Sequence, residues 1–346
     1  MITSMRRREF VAAAMAAPGL LASTPDVRFG VDLFSIRSQN WTAFEYLDYC
    51  SKWGAKVVHF SEIRFIGNLE DDHLRKVRAH AEKLGIQVEL GMRSICPTSK
   101  AFDAAQGTAE EQITRMLHAA KVVGSPIVRC FQGTFADRST PGGIDARIED
   151  TIKVLHAVRS RVQDSGLKIA IENHAGDMQA RELKRLIEAA GKDFVGACLD
   201  SGNPLWALEN PHLTLETLAP YVLTSHIRDS AVWRVPEGAA VAWVRMGEGN
   251  VGIAEYVSKY RQLCAGRALS LEVIVTGPRI YPYLADPKFW DAYRTTPAWE
   301  FSRFLALVEK GKPVAAPPQV SKEAAVQRER EDLEASIQYT RRLLAA

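Results

Sequence analysis

Apolar and polar positions along this chain follow two rhythms that alternate. RFGVDLFSI (28–36), KVVHFSEI (56–63), QVELGM (87–92) and PIVRCFQG (126–133) are short apolar runs rich in β-branched and aromatic residues, and each predicts a strand. Between them, WTAFEYLDYCSKWG (41–54), DDHLRKVRAHAEKLG (71–85) and the stretches 108–124 and 144–166 place apolar residues at helical spacing. Thr42 with Glu45, and Thr108 with Glu111, have the spacing of capping boxes, and Gly54 and Gly85 are stop signals. The second half repeats the grammar. IAIENH (169–174), GACLDSGN (196–203), VLTSHIRD (222–229) and LSLEVI (269–274) read as strands, with helices near 181–190, 212–220, 252–264 and 298–311. Eight strands alternating with eight helices over ~290 residues predict an α/β fold, a (β/α)8 barrel spanning 25–312. An open doubly wound sheet of this length would usually have fewer strands.

Two segments break the rhythm on the carboxyl side of the seventh and eighth strands. Residues 230–251 and 275–297 are long and rich in Trp, Tyr, Pro, Arg and Gly, and on that face of a barrel long loops build a pocket or lid. After the Pro-rich linker KPVAAPPQ (312–319), a charged tail carries Leu333, Ile337 and Leu344 on one face. The segment 313–346 is therefore expected to be a linker and a C-terminal helical extension, docked on the barrel or on a second subunit. A homo-oligomer is left open.

The chain starts with a basic cluster, an apolar alanine-rich run from Phe10 to about Ala22, and small residues. Residues 1–24 thus read as an export signal, and Arg7-Arg8-Glu9-Phe10-Val11 resembles a twin-arginine signal, so an exported, periplasmic protein is expected. No segment approaches the ~20 apolar residues of a membrane span, so no stable membrane insertion is expected. Lys plus Arg number 44 against 41 Asp plus Glu, with no basic stripe, which argues against a nucleic-acid partner and for a small molecule. The five cysteines lie in apolar segments and form no CxxC pair. They read as small buried hydrophobes, with a Cys96–Cys130 disulfide left open.

Candidate chemistry sits at the ends of the last four barrel strands: Glu172, Asp200, His226 and Glu272. Parallel strands bring their carboxyl ends to one face, so these residues converge although they are far apart in sequence. Three carboxylates and an imidazole suit one divalent cation such as Mn, Mg, Co or Zn. A cation beside a carbonyl stabilises the enediolate left by proton removal, and flanking carboxylates serve as base and acid.

On these residues the chain resembles the xylose isomerase-like TIM barrels, which include sugar phosphate isomerases and ketose 3-epimerases. The resemblance spans roughly 28–312 and falls on Glu172 in IENH, Asp200 in LDSGN, His226 in SHIRD and Glu272 in LEVI. It implies that all four bind the metal, that Glu172 and Glu272 also transfer protons, and that the substrate is a sugar or keto-sugar. Two departures matter. Where those epimerases carry a substrate-binding His three residues after the Asp, this chain has Asn203, and where many relatives read His-x-Lys-Asp it has Arg228. A planar guanidinium recognises a different oxygen pattern from an ammonium, so the substrate does not carry over. His174 is placed beside the ligands or facing substrate, and Glu62 and Arg93 are candidate sugar contacts.

Gly247-x-Gly249-x-x-Gly252 fits the dinucleotide fingerprint, but it lies late in the chain with no mononucleotide-binding half around it and reads as a tight loop at the barrel mouth. The leading expectation is a metal-dependent sugar isomerase or epimerase. The alternative is a lyase that expels the C1 substituent of a 3-keto-glycoside through the same enolate. An apurinic-site endonuclease would need more strand-end histidines and a basic stripe, and a non-catalytic sugar-binding protein would bind without metal.

Overall fold

The computed structural model describes residues 27–345, so the expected export signal lies outside the described residues. In chain order the strands are β1 (Arg28–Asp32), β2 (Val57–Phe60), β3 (Gln87–Ser94), β4 (Ile127–Phe131), β5 (Lys168–Glu172), β6 (Val195–Asp200), β7 (Val222–His226), β8 (Asp229–Val235), β9 (Gly238–Val244), β10 (Ala268–Leu271) and β11 (Arg279–Tyr281). The helices are α1 (Ala43–Lys52), α2 (Ile63–Ile66), α3 (Asp71–Leu84), α4 (Ala109–Val123), α5 (Gly143–Ser165), α6 (Ala180–Ala190), α7 (Pro211–Leu218), α8 (Ile253–Leu263), α9 (Ala298–Val308) and α10 (Lys322–Ala345).

Strands β1 to β7 pair in parallel in sequence order, and β10 joins the free edge of β1. A parallel bridge between Ile227 and Leu271 brings β7 against β10, so the eight strands form a nearly closed TIM barrel. The capping boxes at Thr42–Glu45 and Thr108–Glu111 start α1 and α4, and left-handed Gly85 and Gly124 end α3 and α4. Helix packing fills the outer layer: α3 against α4, α4 against α5, α5 against α6 and α6 against α7.

Three parts differ from the sequence reading. The segment 230–251 is not a loop alone, because β8 and β9 form an antiparallel hairpin that β11 extends into a three-stranded sheet. Helix α9 is not the eighth barrel helix. Its Phe304 and Val308 pack with Val232, Val241 and Tyr281 of the added sheet and with Tyr283 just after it. The place beside β10 and α8 goes instead to α10, whose Leu333 and Ile337 are fully buried in the main core. Periodicity could not separate the two helices, since each has an apolar face of suitable width and the choice depends on which surface needs covering. Polar contacts hold α10 in place: Ser38 Oγ donates to Glu329 at 2.9 Å, Tyr49 Oη to Glu334 at 2.9 Å and Arg245 Nε to Asp332 at 2.7 Å.

All five cysteines are buried free thiols, so Cys96 and Cys130 are not bonded to each other. Among the described residues no helix is long and apolar enough to cross a membrane.

Candidate metal centre

Strand alternation aims every second side chain of a barrel strand inward, so Glu172 closing β5, Asp200 closing β6 and His226 closing β7 point into the same space. The register places Asp200 beside His226, and Glu272 follows β10 with its amide bonded to Ile227 O at 3.0 Å. Glu172, Asp200 and His226 are fully buried and Glu272 is 5 % exposed. One ligand atom from each of the four lies within 4.8 Å of the others. A cation bonded at about 2.0–2.3 Å to each ligand needs separations of this order, so the residues present fit a divalent metal. His226 Nδ1 strengthens the fit. It is a buried nitrogen with no hydrogen bond, 3.0 Å from Glu172 Oε2 and 3.2 Å from Glu272 Oε2.

Two arginines balance the acids. Arg129 on β4 donates from Nε to Glu172 Oε2 at 2.7 Å, and Arg228 Nη2 donates to Asp200 Oδ2 at 2.5 Å and to Glu272. Burial opposes ionisation of Glu172 and Glu272, but Arg129 and His226 hold the first well below the usual carboxylate range, and Arg228 and His226 hold the second below it. Asp200 is pushed up to about 7, chiefly by burial. Burial also works against a charged His226, yet the Cys198 sulfur and the carboxylates of Glu172, Asp32 and Glu272 outweigh it and raise the imidazole well above its ordinary value. Without a metal, a protonated His226 and the two guanidiniums therefore stand against the three carboxylates. A divalent cation would take over the charge that the imidazole proton supplies.

Each predicted contact residue has a definite place. Asn203 Nδ2 donates to Glu172 Oε1 at 3.2 Å, while its Oδ1 is buried without a partner. His174 is half-buried, stacks on Phe131 at 3.9 Å and has Nδ1 2.8 Å from Gly133 O. Arg228 belongs to the ligand cluster, with its guanidinium 4.4 Å over Trp243, and Trp243 stacks on Trp206 at 4.3 Å. A Cβ on Gly202 would collide with the Arg228 Cγ and Cδ, so glycine leaves room for that stack. Glu62 and Arg93 do not join the four. Both line a cavity of about 360 Å³ beside the mouth.

Residues on the earlier strands were missed. Asp32, His59 and Glu89, all buried, project into the barrel below the four ligands. His59 Nδ1 lies 2.8 Å from His226 Nε2, Asp32 Oδ2 lies 3.4 Å from the same nitrogen, and Thr224 Oγ1 donates to Glu89 at 2.5 Å. The signal was the one used for strands five to eight: a charged or imidazole side chain inside an apolar run, as in GVD (30–32), VVHF (57–60) and QVEL (87–90). The glycine fingerprint has a structural use. The Gly247 and Gly249 amides donate to Asp229 Oδ2 at 2.9 and 3.0 Å, so a carboxylate of the chain itself fills the donors that a pyrophosphate would need.

Comparison with known proteins agrees with this architecture. The chain is 26% identical over 188 residues to the 3-oxo-isoapionate decarboxylase of Pectobacterium atrosepticum, covering 54% of this chain and 61% of that protein. It is similar in fold to the 3-keto-D-glucoside 4-epimerase YcjR of E. coli, with a TM-score of 0.54 and 16% identity, covering 80% of this chain and 100% of that one. A zinc-bound IolI protein superposes with a TM-score of 0.57 at 12% identity, covering 90% and 99% of the two chains. The model of the xylose isomerase-like TIM barrel family matches residues 47–293, more than half of the chain, and the chain belongs to that family.

Proposed function

We propose that the protein is a divalent-metal-dependent sugar isomerase or epimerase that removes a proton next to a carbonyl, with Glu172 and Glu272 as the proton-transfer pair. The observation that carries this reading is the convergence of three carboxylates and a ring nitrogen of His226 within 4.8 Å of one another in a buried barrel mouth. A cation bound there supplies fixed positive charge for the oxygen of an enediolate. Glu172, Asp200, His226 and Glu272 hold it. Glu172 and Glu272, kept ionised by Arg129 and Arg228, are in the state a proton acceptor needs. Arg228 Nε and Nη1 and Asn203 Oδ1 are buried without partners and offer two donors and an acceptor to substrate oxygens. Burial of the ligands keeps bulk water from the carbanion.

A second reading has a specific observation behind it, the likeness to a decarboxylase acting on a 3-oxo acid. Loss of a carboxyl group or of a C1 substituent beside a ketone passes through the same kind of enolate, so a lyase on keto-sugars is the alternative. One experiment separates the two. Ketoses, 3-keto-glycosides and 3-oxo sugar acids are incubated in deuterated water with metal-loaded, chelator-treated and Glu272→Gln protein. Deuterium in a recovered, rearranged sugar supports the first reading, and release of aglycone or carbon dioxide supports the second. Turnover that survives both the chelator and Glu272→Gln defeats both. Export is also proposed, from the Arg7-Arg8 pattern, and cell fractionation of the full chain with both arginines changed to lysine tests it.

A further inference from the structure

The cavity of about 360 Å³ beside the mouth is lined by Glu62 after β2, Met92 and Arg93 of β3, Arg115 and Met116 of α4, and Arg64 of α2. None of the four ligand residues lines it. It adjoins their site nevertheless, because the Met92 carbonyl accepts a hydrogen bond from Arg129 Nη1 at 3.3 Å and the same guanidinium holds Glu172. One peptide and one side chain separate the cavity wall from the proposed proton-transfer residue.

The cavity's charges are unevenly matched. Arg64 is paired with Glu62, and Arg115 Nη2 donates at 2.5 Å to the Gln106 carbonyl, a neutral group that leaves its charge uncompensated. The Arg93 side chain makes no hydrogen bond or ion pair among the described residues, and Asp103 is the remaining acid of the lining. Arg93 and Arg115 are both exposed and line the same cavity, and guanidiniums with N–H groups left over are the usual receptor for a carboxylate or phosphate. Met92, Met116 and the 40 %-exposed Ile63 supply apolar surface next to them. The volume suits a ligand with a carbon body and is larger than a bare oxyanion needs.

We propose that this cavity is a subsite for the acidic end of the substrate, binding a carboxylate or phosphate carried on a sugar, with Arg93 and Arg115 as its anion contacts. The assignment of that ligand as substrate rests on the metal-centre reading, but the subsite itself is measurable without turnover. Binding of D-glucuronate, D-glucose 6-phosphate, D-glucose and inorganic phosphate is followed by calorimetry on the full chain as purified, and again after chelation. The expected result is that at least one acidic sugar binds roughly tenfold or more tighter than D-glucose, that chelation leaves this preference in place, and that Arg93→Gln removes it. Whichever acid binds names the source of the anion. Arg78→Gln, at an exposed α3 position outside the cavity lining, should keep the preference, and unchanged melting temperatures show that the variants are folded. The proposal is overturned if neither acidic sugar outbinds D-glucose, if Arg93→Gln keeps the preference, or if inorganic phosphate alone binds as tightly as both acidic sugars. A protein that binds acidic sugars yet turns over nothing in a metal-dependent way would fail the proposed function and leave the subsite standing.

Discussion

Replacing Arg228 with methionine tests the charge balance of the centre directly. Arg228 bonds both Asp200 and Glu272, and its side chain is 3 % exposed, so its charge is compensated by those acids and by little water. Methionine keeps most of the volume stacked on Trp243 and removes the charge. Taking away one partner of a buried ion pair leaves the other uncompensated, at a cost of about 3–5 kcal/mol. In a chain of this size that corresponds to a fall in melting temperature of roughly 4–7 °C. A divalent cation held by Asp200 and Glu272 would restore the missing positive charge, so manganese or zinc should raise the melting temperature of the variant by more than that of the wild type. The assay is thermal unfolding at pH 8, where Asp200 is largely ionised, with chelator and with added metal. A metal-free variant melting within about 1 °C of wild type, or a gap that metal does not narrow, would refute the charge balance argued for the site.

His59→Gln removes the neighbour that occupies His226 Nε2, and metal affinity, measured by competition with a coloured chelator, should fall about 10–100-fold while the fold is retained. Leu333→Ala should destabilise the protein by about 2–5 kcal/mol in urea unfolding, because α10 is part of the barrel core; a cost near zero would mean that the helix is a loose appendage. Metal-free protein should lose stability between pH 6.5 and 8. Burial lifts the Asp32 and Asp200 carboxyls to about 7, and its neighbours lift the His226 imidazole, so the folded state binds more protons than the unfolded chain in this window and stability falls as pH rises through it. His59 and His174, pushed below their ordinary value, act in the opposite sense, and their effect fades as pH rises past about 6.5, where an unfolded histidine gives up its proton. Urea midpoints at pH 6.5, 7.25 and 8 in chelator check the sign, and a flat or rising trend contradicts it.

The strands, most helices and the inward aim of Glu172, Asp200, His226 and Glu272 could be read from the chain alone, because alternation within a strand and capping at a helix end are local properties. The sequence also showed that barrel strands five to eight end in metal-binding residue types, and strand order then fixed which face they share. Tertiary structure decided what depends on contacts between distant segments. It placed Arg129 on Glu172 and His59 on His226, partners 43 and 167 positions apart, and turned Arg228 into the ligand cluster. It set α10 against β10 and gave α9 to an added sheet, although both helices carry suitable apolar faces. It also set Glu62 and Arg93, candidate sugar contacts, in the lining of a cavity that none of the four ligands reaches. Periodicity specifies which side of an element is buried, whereas the surface that buries it is chosen only when the barrel closes.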